Sequence, residues 1–166
     1  SLTVERGERI ALKGENGCGK STVLKLLTGE LTAQSGIVRV PNDLRISYLP
    51  QNVSGICGTV AEYAAARGAE PSLVMAILNK FNLRSELFSR DISEYSDGQK
   101  KKVALAVSLA TPAHLYIWDE PLNFIDLVSR IQLEDLLLEY RPTMLFIEHD
   151  AAFCRRVATR TVEMFR

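Results

Sequence analysis

Cysteines are few in this sequence, and their spacing excludes both a disulfide framework and a zinc site. Cys18, Cys57 and Cys154 are odd in number and far apart, which predicts reduced thiols. No apolar run approaches the about 20 residues that a membrane-spanning helix needs, and no signal peptide opens the chain. We therefore expect a cytoplasmic protein.

Net charge is also absent, because 20 basic residues balance 20 acidic ones. This balance argues against a basic surface over the whole domain, so we expect no direct DNA binding. Two basic stretches, Lys100–Lys102 and Arg155–Arg166, are interpreted as solvated helix faces rather than as binding patches. Residues 1–166 are enough for a single domain with its own core. Because Ser1–Gly7 leads into a strand almost at once, we expect the natural protein to begin further upstream.

A glycine-rich segment near the start, Gly14–Ser21, matches the P-loop pattern G-x-x-x-x-G-K-[ST]. The apolar run Arg9–Lys13 before it predicts a buried strand, and the residues after it predict a helix that ends at Thr28–Gly29. In this context backbone N–H groups surround phosphate oxygens, and the helix dipole favours their negative charge. Lys20 can then reach the β- and γ-phosphates, and Ser21 can hold Mg²⁺. The predicted nucleotide-binding residues are Gly14, Glu15, Asn16, Gly17, Cys18, Gly19, Lys20, Ser21 and Thr22.

Strand and helix patterns alternate along most of the chain. The strand candidates are Arg9–Lys13, Gly36–Val40, Leu44–Leu49, Leu115–Trp118, Pro142–Ile147 and Thr161–Met164. This alternation predicts an α/β fold, a P-loop NTPase core with a mostly parallel sheet and small antiparallel strands. Residues 52–109 are interpreted as an inserted helical subdomain with capped helix starts at Thr59 and Ser96. Residues 1–51 and 110–166 would then form the ATPase core.

Polar side chains follow three of the predicted strands. Asp119 and Glu120 come directly after a buried strand, where a P-loop fold holds Mg²⁺ and activates water. We predict that Asp119 binds the metal and that Glu120 accepts a proton from the attacking water; the alternative is a helix cap followed by a surface acid. His149 could position that water, and Gln51 could contact the water or Mg²⁺, although each signal alone is weak. The predicted metal ligands are Ser21, Gln51 and Asp119.

The segment Tyr95–Gln99 offers a second anion site at a helix start. Its Ser96-x-x-Gln99 pattern predicts a capping box, so the simple alternative is a capped helix and nothing more. One nucleotide cannot easily contact both this segment and the P-loop of the same chain. Two domains that face each other could hold a nucleotide between the two sites.

The order of these motifs resembles the nucleotide-binding domain of ATP-binding cassette (ABC) proteins, and the resemblance covers nearly the whole chain. It implies ATP and Mg²⁺ as cofactors and a second cassette as a partner. It also implies that Gln51 is the Q-loop residue, Glu120 the catalytic carboxylate and His149 the switch histidine. Asp126 would lie in the D-loop, Pro121–Asp126, which crosses to the partner. The signature segment that contacts the partner's ATP would be Ser96, Asp97, Gly98 and Gln99.

Two departures from the family pattern affect these expectations. The family signature usually reads Leu-Ser-Gly-Gly-Gln, so Tyr95 replaces the leucine and Asp97 replaces the first glycine. Asp97 brings negative charge near a phosphate, which weakens binding unless its side chain points away or caps the helix. The thirteen residues before Gly14 contain no aromatic side chain that could stack on adenine.

The run Asp119–Asp126 is similar to the Asp-Glu-Pro-Thr-Asn-His-Leu-Asp of ABC-F proteins, which are twin-cassette ATPases that act on the ribosome. Tyr95–Lys102 and Pro142–Asp150 resemble the antibiotic-resistance branch, and the chain resembles its second cassette. The resemblance implies a Mg-dependent ATP hydrolase, weak as an isolated domain, with the ribosome as a partner. Two alternatives stay open. One is the ATPase subunit of a membrane transporter, with a membrane partner subunit, and the other is a nucleotide-binding module without hydrolysis.

Overall fold

Parallel strands form a single sheet in the computed structural model, which describes residues 1–165. The strands are β1 (Arg9–Lys13), β2 (Ile46–Leu49), β3 (Leu115–Asp119), β4 (Met144–Ile147) and β5 (Arg160–Glu163). Their order in the sheet is β2-β3-β4-β1-β5, and every pair of neighbours is parallel. Parallel strands need crossover connections, which the helices supply. The predicted α/β fold with a mostly parallel sheet is confirmed.

The helices lie between the strands in sequence. They are α1 (Lys20–Thr28), α2 (Val60–Ala66), α3 (Pro71–Lys80), α4 (Asp97–Ala110), α5 (Leu127–Tyr140) and α6 (Ala151–Val157). Two short 3₁₀ helices, Ser85–Leu87 and Ile92–Glu94, precede α4. Within residues 1–165, no helix is both long enough and apolar enough to cross a membrane.

The helix ends follow the capping signals of the sequence. The side chains of Thr59 and Ser96 each accept a hydrogen bond of 3.2 Å from the backbone N–H three residues later. Glu62 and Gln99 return a bond to the backbone of each cap, which completes two capping boxes. Gly29 ends α1 with a φ of 80°, a left-handed conformation that suits glycine. The predicted starts of α2 and α4 and the predicted end of α1 are confirmed.

The apolar core lies on both faces of the sheet, because side chains alternate along each strand. On one face, Ile10 and Leu12 of β1 pack with Leu24 of α1. On the other face, Ala11 and Trp118 belong to a larger cluster that includes buried residues of α2 to α6. Residues 52–109 contain helices α2 to α4 and no strand, and they share this larger cluster with the sheet. The subdomain boundaries at 52 and 109 stay a prediction.

One predicted strand was wrong. Gly36–Val40 has no regular secondary structure, and no antiparallel pairing occurs within residues 1–165. Ile37 in this segment is 80% exposed. Alternating apolar residues form a strand only where the backbone can pair with a neighbouring strand and the side chains can pack against a core. This segment has neither.

The interpretation of the lysine run as a solvated face was also wrong. Lys101, in the second turn of α4, is only 1% exposed. Lys100 donates to the Ser54 carbonyl oxygen at 2.9 Å, and Lys102 forms an ion pair of 2.9 Å with Asp126. Lys101 is therefore buried, and Lys100 and Lys102 are half-buried and paired.

The arginine-rich C-terminal stretch is largely exposed, as the sequence suggested, and two of its arginines form ion pairs. Arg156 contacts Glu134 at 2.7 Å and Asp135 at 2.6 Å, and Arg160 contacts Glu8 at 3.0 Å. Arg166, at the end of this stretch, lies outside the described residues.

Candidate active site

The glycine loop between β1 and α1 folds around the side chain of Lys20. The Lys20 ammonium donates hydrogen bonds to the carbonyl oxygens of Gly14 at 2.6 Å and Glu15 at 3.0 Å, and the residue is buried. Position 14 requires glycine, because φ is 151° and an added Cβ would lie 2.7 Å from both Cys18 Sγ and the Met164 carbonyl oxygen. Residues 15–17 are exposed, so this face of the loop is open to a ligand.

Ser21, in the first turn of α1, contacts Asp119 at the end of β3. The Ser21 hydroxyl donates to Asp119 Oδ2 at 2.9 Å, so the structure brings the P-loop and the predicted metal-binding carboxylate together. Asp119 Oδ1 is buried and has no hydrogen-bond partner. Burial raises the pKa of Asp119, while the hydrogen bond from Ser21 lowers it.

The donor set at Asp119 fits Mg²⁺. An unpaired, buried carboxylate oxygen beside a serine hydroxyl offers the hard oxygen ligands that Mg²⁺ prefers. Within residues 1–165, no group of three or more His, Cys, Asp or Glu side chains is arranged to hold a metal alone. Magnesium sites commonly keep several waters and use substrate phosphates as further ligands, so they need few protein side chains.

The Glu120 carboxylate is held by side chains from three loops. Gln51 Nε2 donates to Glu120 Oε2 at 3.0 Å, and Asn123 Nδ2 donates to the same oxygen at 2.9 Å. His149 Nε2 lies 3.2 Å from Glu120 Oε1, with the donor role set by the histidine tautomer. The three residues predicted as catalytic, Gln51, Glu120 and His149, are therefore in direct contact. Asn123 is a fourth member that the sequence analysis did not assign.

The backbone of Glu120 explains why its side chain reaches these partners. Glu120 has a φ of 51°, a left-handed conformation that non-glycine residues adopt seldom. Its N–H donates to the Ile147 carbonyl oxygen at 2.9 Å, which continues the pairing of β3 with β4 by one residue. The carboxyl ends of the parallel strands β2, β3 and β4 meet at one sheet edge, so residues 51, 120 and 149 converge there.

Glu148 orders two of these loops from inside, and the sequence analysis also missed it. Its carboxylate is buried and accepts hydrogen bonds from the backbone N–H of Leu122 at 3.2 Å and of His149 at 3.0 Å. The sequence could have indicated this role, because Glu148 directly follows a buried strand. A carboxylate that is buried at such a position must accept hydrogen bonds from neighbouring donors.

The signature segment forms the first turn of α4. Ser96 and Gln99 bond to each other's backbone in the capping box, at 3.2 Å and 3.0 Å. Asp97 is exposed in the first helical turn, where negative charge suits the helix dipole. Gly98 lies so close to the D-loop that an added Cβ would be 2.8 Å from the Phe124 carbonyl oxygen. A cleft of about 430 Å³ separates Gln51 from the signature segment and the D-loop.

Asp126 ends the D-loop and caps α5. Its Oδ2 accepts a hydrogen bond from the Ser129 N–H at 3.1 Å, and its Oδ1 contacts Lys102 Nζ at 2.9 Å. Partial burial alone would raise the pKa of Asp126, but the ammonium of Lys102 and the donors on Ser129 outweigh it and lower the pKa to about 2. Because Lys102 belongs to α4, this ion pair ties the D-loop to the signature helix.

A buried lysine lies behind the acidic residues. Lys101 Nζ has no hydrogen-bond partner, and burial lowers its pKa, while the charges of Asp119, Glu148 and Glu120 oppose that effect. No sequence signal separated Lys101 from its neighbours Lys100 and Lys102, because only the packing of α4 decides which of the three faces inward.

The arrangement is a glycine loop that holds a lysine, a serine–aspartate pair and a clamped glutamate, all at one edge of a parallel sheet. The sequence model of the ABC transporter family matches residues 1–123 of the chain. The chain belongs to this family. It is an ABC nucleotide-binding domain, and its sheet and helices form the P-loop fold of that family.

The ABC domain is homologous to ABC-F proteins. It is 32% identical to ABC transporter F family member 5 of Arabidopsis thaliana, over 99% of the chain and 25% of that protein. It is also 32% identical to the ATP-binding protein Uup of Caulobacter vibrioides, over 99% of the chain and 28% of that protein. The chain therefore spans about a quarter of the length of these relatives.

Solved ABC structures superimpose on the chain. An archaeal ribosome recycling factor, solved in complex with an archaeal ribosomal stalk protein, gives a TM-score of 0.81 at 28% identity and covers 96% of this chain and 32% of its own. A dimeric bacterial ABC transporter cassette gives 0.82 at 21% identity, over 98% of this chain and 83% of its own, which shows the shared fold.

Proposed function

We propose that this cassette binds Mg-ATP and hydrolyses it at a site shared with a second cassette. The observation that carries the proposal is the clamped Glu120 carboxylate, which lies one residue after the Asp119 that contacts the P-loop Ser21. A carboxylate held by the side-chain amides of Gln51 and Asn123, next to a predicted metal ligand, is suited to accept a proton from water.

Each predicted residue has a role that its contacts support. Lys20 exchanges its bonds to loop carbonyls for bonds to the β- and γ-phosphates, which are stronger because both partners are charged. Ser21, Asp119 and Gln51 would hold Mg²⁺, Asp119 with its unpaired Oδ1. Bound there, Mg²⁺ neutralises charge on the phosphates. Glu120 takes the proton from water, and His149 holds the water or the terminal phosphate.

The signature segment would contact the nucleotide of the partner cassette. Its capping box leaves the N–H groups of Asp97 and Gly98 in the first turn for an anion, which is what a helix start offers. If the site is shared, the isolated cassette turns over little ATP, and its specific activity rises with protein concentration. A specific activity that stays constant down to concentrations at which the chain is monomeric would contradict the shared site.

We further propose that the whole protein is a cytoplasmic ABC-F ATPase that acts on the ribosome in antibiotic resistance, with this cassette as its second. The support is the run Asp119–Asp126, the segments Tyr95–Lys102 and Pro142–Asp150, and the F-family relatives. The recycling factor among the structural relatives is itself a ribosome-associated protein by its name. The ATPase subunit of a membrane transporter is the second candidate, because the family model that matches is that of ABC transporters.

Sucrose-gradient fractionation separates the two candidates. The full-length protein carries Glu120→Gln, with the matching change in its other cassette, so that the ATP-bound state persists. The ABC-F proposal requires this variant to sediment with ribosomes in ATP. The same protein with Lys20→Ala added, which should bind ATP at least about tenfold more weakly, serves as the control and should sediment with ribosomes less. Recovery of the trapped variant in the membrane pellet alone would remove the ribosomal role and leave the ATPase proposal standing.

A further inference from the structure

Asn123 is the one partner of Glu120 that belongs to the same loop. Its Nδ2 donates to Glu120 Oε2 at 2.9 Å, and its own N–H donates to the Glu120 carbonyl oxygen at 3.4 Å. The two residues therefore form a closed turn with both a backbone and a side-chain bond. A contact within one turn costs little loop-closure entropy, so it persists when more distant partners leave.

The other two partners of Glu120 come from other loops and are open to solvent. Gln51 is exposed, and the side chain of His149 is 54% exposed, against 20% for Glu120. The proposed function also requires both of them elsewhere, Gln51 at the metal and His149 at the water or phosphate. If they move to the ligand, only Asn123 still holds the Glu120 carboxylate.

The loop that carries Asn123 is fixed on each side. Before Asn123, the Leu122 N–H donates to the buried Glu148 carboxylate at 3.2 Å. After it, the Phe124 carbonyl lies against Gly98, and Asp126 is paired with Lys102 at 2.9 Å. A donor on a fixed backbone holds its acceptor in one orientation at a small entropic cost.

We propose that Asn123 is a positioning residue that fixes the Glu120 carboxylate by Oε2 and leaves Oε1 to accept the proton from water. An amide suits this task because its Nδ2 donates without carrying a charge and without offering a competing base at that atom. The inference rests on the proposed function, since it assigns Asn123 a part in the same reaction. It does not give Asn123 a contact with the substrate.

A double-mutant cycle tests the inference in the full-length protein. Asn123→Ala should lower kcat for ATP by about tenfold, the effect of one hydrogen bond to a charged group, and leave KM unchanged. In a Glu120→Gln background the same change should cost nothing further, because the group that Asn123 positions is already lost. Asn42→Ala, in the exposed turn at residues 41–43, is the control and should match the wild type.

Two kinetic results would overturn the inference. An equal loss in both backgrounds would mean that Asn123 acts on the fold rather than through Glu120. No loss in the wild-type background would mean that Glu120 needs no such support.

A second readout does not depend on turnover. In crystals grown with Mg²⁺ and a non-hydrolysable ATP analogue, where Gln51 and His149 would contact the ligand, the Glu120 carboxylate of Asn123→Ala should leave the position that it has in the wild type, while the D-loop backbone stays in place. A carboxylate that keeps its position would refute the inference. A wild-type protein without ATPase activity would instead refute the proposed function, and the crystal comparison would still decide the role of Asn123.

Discussion

The charge of Asp126 can be removed while its helix cap is kept. Asparagine caps helices about as well as aspartate, so Asp126→Asn retains the bond from the Ser129 N–H at 3.1 Å. What the change removes is the ion pair of 2.9 Å with Lys102, which joins the D-loop to the signature helix. The oxygen in that ion pair, Asp126 Oδ1, also accepts a hydrogen bond of 2.8 Å from the Ser129 hydroxyl, so the variant tests the ion pair together with this one neutral bond.

The pKa of Asp126 gives the size of the effect. It is about 2 in the folded protein, against an ordinary value of 3.8. At about 1.36 kcal/mol per pH unit, this difference corresponds to about 2.4 kcal/mol in favour of the ionised form. Because the Asp126 side chain is 50% exposed and water screens the pair, we expect about 1 kcal/mol of unfolding free energy. The lowered pKa means that this stability is complete above about pH 4 and is lost as pH falls through about 2.

Urea unfolding, followed by the fluorescence of the buried Trp118, measures this effect. Asp126→Asn should unfold with about 1 kcal/mol less free energy than the wild type at pH 7, and the difference should shrink as pH is lowered from about 4 towards 2. Asp43→Asn makes the same chemical change in an exposed turn and should follow the wild type. Equal stability of Asp126→Asn and wild type at pH 7, or a difference that acid leaves intact, would refute the reasoning.

Three further outcomes follow from the site. Lys20→Ala should weaken ATP binding by about tenfold or more in calorimetry, since bonds to charged groups contribute about 1.5–3 kcal/mol, and equal affinity would contradict the assignment. Glu120→Gln should lower turnover by about 10²–10⁴-fold while Mg-ATP still binds, and unchanged turnover would exclude Glu120 as the base. Gly98→Ala should destabilise the fold by about 1–3 kcal/mol, because the new methyl group would lie 2.8 Å from the Phe124 carbonyl oxygen. Gly55→Ala, which meets nothing within 4 Å, is its control, and equal urea midpoints for the two variants would contradict the predicted clash.

Local chemistry made much of the fold predictable. The strand Arg9–Lys13 and the glycine loop follow from an apolar run and a pattern of fixed spacing, and the caps Thr59 and Ser96 act within a single helical turn. The convergence of Gln51, Glu120 and His149 was also predictable in outline, because parallel strands place the residues after them at one edge. Their mutual distances were not, since they depend on how β2, β3 and β4 are ordered in the sheet.

Tertiary packing determines the features that the sequence did not predict. Gly36–Val40 has the residues of a strand and no neighbour to pair with. The burial of Lys101 depends on which side of α4 faces the sheet. A run of three identical lysines does not indicate which of them faces inward. The role of Asn123 depends on the left-handed backbone of Glu120, a conformation that no residue preference at that position would suggest.

The buried Lys101 bears on the stability of the fold when no metal is bound. Burial lowers the pKa of Lys101, but Asp119, Glu148 and Glu120 favour its charged form, and this pairing needs no bound Mg²⁺. Lys101 therefore compensates part of the repulsion among the three carboxylates in the absence of a metal. We expect a chelator to remove a bound metal without unfolding the cassette. If the cassette binds Mg-ATP as proposed, it should therefore stay folded in the interval when neither metal nor nucleotide is bound.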